Sequence, residues 1–196
     1  MGRSIFEPMP SAKHQLHLRR LELGDEPSFL RALEDWSEAD RAWFTWHWEP
    51  GVAFSDVLLR IDREATGSGL PEHLVPATMY YAFLGDQIVG RLHLRHRLNQ
   101  ALAVRGGHIG YAVAPKFRNQ GFATEILRQG LSKAAALGVS SAMVTCADDN
   151  IASWKVIEKA GGQLEQVFTD EKNGEVVRKY WLSTGGFRGD DRNHHD

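Results

Sequence analysis

Hydrophobic and polar positions near the start of the chain predict a strand followed by a helix. Residues 14–21 (HQLHLRRL) follow the two-residue period of a half-buried strand. Gly24 and Asp25 then break this period, and Asp25 can cap a helix that runs to about Trp36. A second helix is predicted over about 54–64, beyond an aromatic-rich segment whose pattern indicates no single structure.

The rest of the pattern predicts strands and helices in alternation, which is typical of an α/β protein. Residues 77–98 are predicted to form two strands that turn at Gly85 and Asp86, and residues 107–113 a third strand. A helix over 123–138, a buried strand over 139–146 and a second helix over 150–162 follow. The last two strands are predicted over 162–168 and 176–182.

The length of the chain and the lack of a linker sequence predict one domain. The 196-residue chain contains no repeat and no convincing linker, and a chain of this size buries roughly 70% of the surface that it exposes when unfolded. We expect residues 1–184 to form a single domain and the polar segment 185–196 to be a disordered tail. The paired His194 and His195 lie in this tail, and no metal site is predicted.

Charge and composition argue against nucleic acid or a membrane as a partner. The 23 basic and 25 acidic residues nearly balance, so no global field draws the protein to a polyanion. No apolar run approaches the roughly 20 residues that span a bilayer, and the first residues lack a signal-peptide core. The lone Cys146 lies in an apolar stretch typical of a buried, inert thiol. We therefore expect a cytoplasmic protein.

The segment Tyr111–Leu127 (YAVAPKFRNQGFATEIL) joins the end of a strand to the start of a helix. The first N–H groups of a helix have no internal acceptor, and the helix dipole makes this end attractive to a phosphate. Gly121 lacks a Cβ, which lets the main chain approach such a group closely. The segment has neither the glycine pattern of a Rossmann site nor the Gly-Lys-Ser/Thr of a Walker loop.

This segment resembles the acetyl-CoA signature of the GNAT superfamily of N-acetyltransferases, Arg/Gln-x-x-Gly-x-Gly/Ala at the start of the central helix. Arg118, Gly121 and Ala123 fit that pattern. The resemblance covers residues 78–182 well and the first third of the chain only loosely. The other matches to the family's order are Val113, Pro115, Asn150, Ser153, Glu158, Lys159 and Gly161.

The resemblance implies the GNAT fold, with a central mixed, mostly antiparallel sheet that splays open near Val113 and is flanked by helices. Acetyl-CoA would be the co-substrate in this opening, with its pyrophosphate on the amides of residues 120–124. A charge on Lys116 or Arg118 would either support the phosphates or simply be solvated. The cofactor-binding residues that the resemblance implies are Ala112, Val113, Arg118, Asn119, Gln120, Gly121, Phe122, Ala123, Thr124, Asn150 and Ser153.

The activity that the resemblance implies is transfer of an acetyl group from acetyl-CoA to an amine of a small molecule or protein by direct attack. Candidate catalytic residues are His108, Tyr111 and Asn150. His108 either removes a proton or is a strand histidine bonded to the main chain, and Asn150 can contact the cofactor, cap a helix, or do both. Ile157 stands where many relatives have a tyrosine that protonates the leaving thiolate, which leaves this proton to water.

Other titratable residues near the predicted opening have two interpretations each. His93 and His96 differ in parity along a strand, so they face opposite sides and cannot form a metal pair. Asp148 and Asp149 are either base candidates or the shapers of a turn. Glu49 either meets a cationic substrate or lies on a surface loop.

Two other functions are also consistent with the sequence. The protein is alternatively a non-catalytic acyl-CoA-binding sensor, for which Ile157 would mark lost chemistry. It is alternatively an interaction protein that uses the aromatic segment 43–48, which could instead serve as core or as the contact of a homodimer. No motif identifies the acceptor substrate.

Overall fold

The computed structural model describes residues 16–185 and contains seven strands and six α-helices in that range. The strands are β1 (Leu16–Arg19), β2 (Ala77–Leu84), β3 (Gln87–Arg95), β4 (Ile109–Val113), β5 (Ser141–Ala147), β6 (Gln163–Thr169) and β7 (Val176–Ser183). The helices are α1 (Glu26–Ala32), α2 (Glu38–Thr45), α3 (Phe54–Thr66), α4 (Gln100–Val104), α5 (Phe122–Ala136) and α6 (Ile151–Lys159). Between residues 16 and 185 no helix has the length and apolar character needed to cross a membrane.

The first predicted helix differs from the observed one. α1 ends at Ala32 and continues only as a 3-10 turn to Asp35. Asp25 stands at the N-cap position, but its carboxylate makes no capping bond to α1 and instead binds the Arg19 guanidinium at 2.6 and 2.7 Å. An ion pair with a neighbouring strand has replaced the predicted cap. Residues 14 and 15 and the predicted tail from residue 186 lie outside the described residues.

Two helices were not predicted. α2 begins before the aromatic segment, where the Ser37 hydroxyl accepts a hydrogen bond from the Asp40 amide, and runs into it. α4 is a five-residue helix capped by Asn99, whose side chain accepts from the Leu102 amide. Such short helices give little periodicity to detect, so local capping residues were their only signal.

The strands form two antiparallel sheets, ordered β1-β2-β3-β4 and β5-β7-β6. Among the described residues the sheets are joined by a single bridge between Gly107 and Val144. Beside it the His108 amide donates to the Met143 carbonyl at 2.7 Å. Gly107 has φ +65°, and a Cβ there would lie 2.3 Å from the Met143 oxygen. Beyond this bridge β4 and β5 separate, which confirms the predicted splayed α/β architecture. Every strand pair within residues 16–185 is antiparallel, so the parallel pairing of a mixed sheet is not seen there.

Helices cover both faces of the first sheet. On one face α5 and α6 contribute to a core that includes Leu92, Ile126 and Leu127, all with no exposed surface. On the other face α1, α2 and α3 build an aromatic cluster in which the Phe29 and Phe44 rings stack at 5.0 Å. Each fully buried side chain of this size stabilises the fold by about 1.5–3 kcal/mol.

The alternation along β3 sends different residue types to these two faces. Leu92 and Leu94 join the core beneath α5. Arg91, His93 and Arg95 point to the opposite face, where α3 packs. A strand that buries polar groups on a covered face is unusual, and these residues form part of the site described next.

Candidate active site

The connection between β4 and α5 forms an anion-binding nest of main-chain amides. Asn119 and Gly121 adopt left-handed backbone conformations with φ +61° and +83°. The first helical bond of α5 runs from the Glu125 amide to the Gly121 carbonyl, and no side chain caps the helix. Within residues 16–185, no acceptor is therefore found for the four amides from Gly121 to Thr124. Free amides at the positive end of a helix are suited to a phosphate.

The basic residues beside the nest are already engaged. Arg118 donates through Nε to the Val113 carbonyl at 3.1 Å, and its Nη2 lies 3.0 Å from Asp40. Lys116 pairs with Asp35 at 2.6 Å. Both charges are thus balanced by carboxylates from the segment before and within α2, and the nest owes its positive potential chiefly to its amides. A direct role of Lys116 or Arg118 at phosphates stays a prediction.

The outer edge of β4 faces the gap between the sheets. The Arg95 amide donates to the His108 carbonyl, and the Ala114 amide donates to the Val89 carbonyl. Since neighbouring residues of a strand point their amides to opposite edges, Tyr111 and Val113 direct theirs into the gap. Ala112, which was predicted to bind cofactor, directs its main chain to β3 and packs against the aromatic cluster.

Tyr111 spans the gap and reaches the first turn of α6. Its hydroxyl lies 3.2 Å from both the Ser153 carbonyl and the Ser153 hydroxyl. Asn150 caps α6 by accepting a hydrogen bond from the Ser153 amide at 3.1 Å. Burial raises the pKa of Tyr111, so this phenol keeps its proton at neutral pH. The structure therefore brings three predicted site residues together at one place.

Ile157 and Cys146, two further residues singled out from the sequence, pack in or against the core. Ile157 is fully buried in the core, so no acid is available at its position. Cys146 is partly buried and packs against the same core, and burial raises the pKa of its thiol. Both observations agree with the predicted inert thiol and missing tyrosine acid.

His108 lies beside the bridge that joins the sheets. Its Nδ1 accepts a hydrogen bond from the Met143 amide at 2.9 Å. Because this bond occupies the lone pair of Nδ1, the neutral ring carries its hydrogen on Nε2 and acts there as a donor. Burial and the nearby Arg95 charge lower the pKa of His108. This geometry favours the main-chain-bonded interpretation over the role of base.

Four other candidates make contacts of their own and none with Tyr111 among the described residues. Asp148 accepts a hydrogen bond from Arg178 at 2.6 Å, and the exposed Asp149 accepts one from the Ile151 amide in the turn before α6. His96 bonds to Thr78 on the α5 side of the sheet, which agrees with its predicted parity. Glu49 is exposed on the loop after α2.

Sequence reasoning missed the carboxylate at the centre of the site. Glu64 of α3 accepts from the Trp46 indole at 2.8 Å and lies 3.3 Å from His47 Nε2 and 3.0 Å from His93 Nε2. Burial raises the pKa of Glu64, but these donors outweigh it and hold the value at about 2. One signal was present, since Glu64 continues the helical face that Val57 and Ile61 bury.

His93 is held by this carboxylate in one orientation. With Nε2 directed at Glu64, the neutral ring carries its hydrogen on Nε2 and keeps a lone pair on Nδ1. Nδ1 is buried and has no hydrogen-bond partner among residues 16–185. Burial lowers the pKa of His93. Trp46 covers the ring at 4.6 Å between centroids and has a strained backbone with φ +52°.

Arg91 lies beside this pair as a buried charge. It is 1% exposed, and its guanidinium lies 5.1 Å from the Trp43 ring and 5.5 Å from the Trp46 ring. Its Nη1 contacts the Met79 sulfur, while Nε has no partner in the described part of the chain. Burial lowers the pKa of Arg91 to about 10. The face of the sheet beneath α2 and α3 is therefore positively charged and only partly compensated.

A comparison with known families decides the assignment. Residues 15–163 match the model of the acetyltransferase (GNAT) domain. The chain belongs to the GNAT acetyltransferase family. A comparison with curated protein sequences found no significant match.

Solved structures of GNAT acetyltransferases share this fold. RimL, a ribosomal L7/L12 alpha-N-protein acetyltransferase in complex with coenzyme A, is 19% identical, covers 86% of this chain and 93% of its own, and has a TM-score of 0.58. RimJ of Mycobacterium smegmatis in complex with CoA-disulfide is 19% identical over 86% of this chain and 81% of its own, with a TM-score of 0.60. A chimera of the spermidine N-acetyltransferase SpeG from Vibrio cholerae and hSSAT is 15% identical over 87% and 96%, with a TM-score of 0.57. At these identities the likeness shows the fold.

Proposed function

We propose that this GNAT-family protein transfers an acetyl group from acetyl-CoA to an amine, with the cofactor held in the gap between β4 and β5. The observation that carries the proposal is the set of four amides from Gly121 to Thr124, which have no acceptor in the described part of the chain and open next to the edge of β4 that no strand there pairs with. A diphosphate needs several N–H donors and positive potential, and a helix N-terminus supplies both. A row of free amides beside an open strand edge fits a long molecule with a diphosphate at one end.

The extended arm of the cofactor finds matching groups along β4. The amides of Tyr111 and Val113 face the gap and can donate to an extended chain as an added strand does. The Arg118 guanidinium donates a hydrogen bond to the Val113 carbonyl, and this bond would have to give way to one from the cofactor when it binds along β4. Asn150 and Ser153 stand at the opposite wall of the gap. The remaining proposed contacts are Asn119, Gln120, Phe122 and Ala123.

The acceptor amine must lose a proton before it attacks the thioester that acetyl-CoA supplies. Neutralising a lysine-like amine at pH 7 costs roughly 4.6 kcal/mol, whereas an α-amine costs only about 1 kcal/mol. His93 is the base that the geometry favours, because its Nδ1 lone pair is free and Glu64 stabilises the imidazolium. Proton removal requires the acceptor, or one water, to reach this buried nitrogen. His108 would act as a hydrogen-bond donor instead.

The Tyr111 phenol lies in the gap, where it can protonate the departing thiolate. Tyr111 is held against Ser153, and its raised pKa keeps it protonated. A protonated hydroxyl between β4 and α6 can serve the role that the tyrosine of many relatives serves at the position of Ile157. Water remains the alternative donor, because a thiol of pKa about 8.5 leaves tolerably as the anion.

Several finer features stay predictions. They are the cytoplasmic location, the absence of nucleic-acid and membrane partners, the use of no metal, the single domain over residues 1–184, and a homodimer. The exposed Trp43 on α2 supports the last of these, since more than half of its surface is open to solvent.

Release of free coenzyme A tests the proposal. We expect at least one amine in a panel of α-amines, lysine derivatives and polyamines to accelerate thiol release from acetyl-CoA well above the amine-free rate. Binding of acetyl-CoA without any amine-dependent release across this panel would instead support the sensor function. Failure to bind acetyl-CoA at all would contradict both functions.

A further inference from the structure

A cavity of about 450 Å³ lies beside the Glu64–His93 pair, on the face of the sheet that α3 covers. It is bounded by the end of α3, the loop that follows it, β3 and the start of α4. Leu70, Leu74 and Leu102 give it an apolar wall. A concave site with an apolar wall and a few converging charges is typical of a small-ligand site.

The charged groups of this cavity are unbalanced. Three guanidinium groups line it, those of Arg60, Arg63 and Arg95, against the single carboxylate of Glu64. That carboxylate is already used, since it receives Trp46, His47 and His93. It therefore has little capacity left for a cationic ligand.

The three arginines are not neutralised by other partners. Arg60 donates to the His47 carbonyl at 3.2 Å, and Arg95 donates to the Gly106 and Gly107 carbonyls. These acceptors are neutral, and none of the three arginines forms an ion pair within residues 16–185. The Arg63 guanidinium makes no hydrogen bond in the same range, whereas its main-chain carbonyl is bonded to Thr66 and Ser68. Three clustered guanidinium groups that share one carboxylate are suited to a further carboxylate or another anion.

The cavity lies close to the strand where acetyl transfer is proposed. His93 lines it and is paired across the sheet with Gly110 of β4. A Cβ at Gly110 would meet no heavy atom within 4 Å, so the face of β4 beside His93 is open. His93 and the open space at Gly110 thus lie between the cavity and the gap, and we take them as the way from the one to the other.

We infer that this cavity binds an anionic group of the acceptor, so that the preferred acceptor is an amine that also carries a carboxylate. The inference rests on the proposed function and names its substrate class. A free amino acid or similar small molecule has this chemistry, and so does the N-terminal segment of an acidic peptide. A polyamine has the opposite charge and would be repelled by Arg60, Arg63 and Arg95.

Matched acceptors test the charge preference directly. 4-Aminobutyrate, 4-aminobutanamide and 1,4-diaminobutane share one amine and one spacing and differ only in the second group. Gly-Glu-Gly, Gly-Gln-Gly and Gly-Lys-Gly amides form the peptide series. Within the series that the enzyme accepts, we expect kcat/KM to be about tenfold higher for the carboxylate member than for the neutral member. The cationic member should have a lower kcat/KM than the neutral one. The better series identifies the source of the carboxylate.

Charge reversal in the cavity supplies the matching variant. Arg63→Glu should abolish the preference for the carboxylate and raise the relative rate of the cationic acceptor. Arg41→Glu is the control, because Arg41 is exposed on α2 and does not line the cavity. Equal kcat/KM for the anionic, neutral and cationic acceptors, or a higher kcat/KM for the cation, would overturn the inference while leaving the proposed function intact. No turnover with any amine would count against the proposed function itself.

A binding measurement keeps the inference testable without turnover. The Trp46 indole N–H donates to Glu64 at the cavity wall, so its ¹H–¹⁵N signal reports on ligand there. We expect glutarate to shift this signal and 1,5-diaminopentane to leave it in place, with the glutarate shift lost in Arg63→Glu. Equal responses to the dianion and the dication would contradict an anion site.

Discussion

His93 Nε2 lies 3.0 Å from Glu64 Oε1, which joins β3 to α3 through a histidine whose second nitrogen has no partner within residues 16–185. This pair stands on the face of the sheet opposite α5, beside the open face of Gly110. A carboxylate that orients a histidine and stabilises its charged form is the arrangement that makes a general base. This arrangement is the reason why we propose that the acceptor amine reacts at this face.

Replacing the proposed base should affect acceptors according to their basicity. We expect His93→Gln to lower kcat/KM by about 10²–10⁴ for a lysine-like amine and by less for an α-amine, which needs less help to lose its proton. In the wild type kcat/KM should rise with pH through an apparent pKa below 6.5, and this limb should vanish in the variant. His96→Gln, on the opposite face, is the control. A parallel loss in both variants would remove His93 from the base role.

The Glu64 carboxylate should make stability depend on pH in a defined window. Its folded pKa of about 2 lies below the ordinary 4.5, so its contribution is fully present above about pH 4.5 and is lost as pH falls toward 2. Urea unfolding should show Glu64→Gln less stable than the wild type by about 2 kcal/mol at pH 7. This difference should shrink between pH 4.5 and 2. Glu26→Gln, at an exposed position, should show no such change, and a pH-independent gap would contradict the assignment.

Removing one oxygen from Tyr111 tests its role in thiolate departure. We expect Tyr111→Phe to lower kcat about tenfold or more while changing the Kd of acetyl-CoA by less than twofold. Tyr80→Phe is the matched control, because Tyr80 lies on the same face of the sheet but belongs to β2, away from the gap. Unchanged kcat in Tyr111→Phe would leave the proton to water.

Two glycines on neighbouring strands should respond in opposite ways. A Cβ at Gly90 would lie 2.6 Å from the Ala112 carbonyl, so Gly90→Ala should cost about 1–3 kcal/mol of unfolding free energy. Gly110 has open space, so Gly110→Val should fold normally and instead raise the KM of the amine. Chemical unfolding and steady-state kinetics measure the two effects. Normal amine kinetics in Gly110→Val would exclude this route for the acceptor.

The cofactor end of the site was predictable because its signal is local. A strand, a loop with Gly121 and a helix follow one another within a few residues, and the left-handed conformation at Gly121 is a requirement that sequence displays. The Asn150 cap and the buried Ile157 are equally local features of one helix. The strands and helices after residue 77 followed from the same short-range patterns, whereas the fold followed from the family resemblance that these residues carry.

The acceptor end was not predictable because its groups meet only in three dimensions. Glu64 and His93 are far apart in the chain and are joined when α3 packs on β3. The alternation of Arg91, His93 and Arg95 is the pattern of a solvent-exposed strand face, and nothing local indicates that tryptophans cover it. Only the buried helical face that ends in Glu64 gave a hint.

Affinity for coenzyme A in a pair of matched glycine variants tests the central claim most directly. Gly121 and Gly138 have φ +83° and +81° at the two ends of α5, so a side chain meets similar backbone strain at each. Only Gly121 belongs to the nest, where a glutamate would bring bulk and negative charge to the diphosphate. Isothermal titration should show Gly121→Glu weakening binding by about 100-fold, or roughly 2.8 kcal/mol, with Gly138→Glu close to the wild type. Equal affinity in Gly121→Glu and the wild type would contradict the proposed cofactor site.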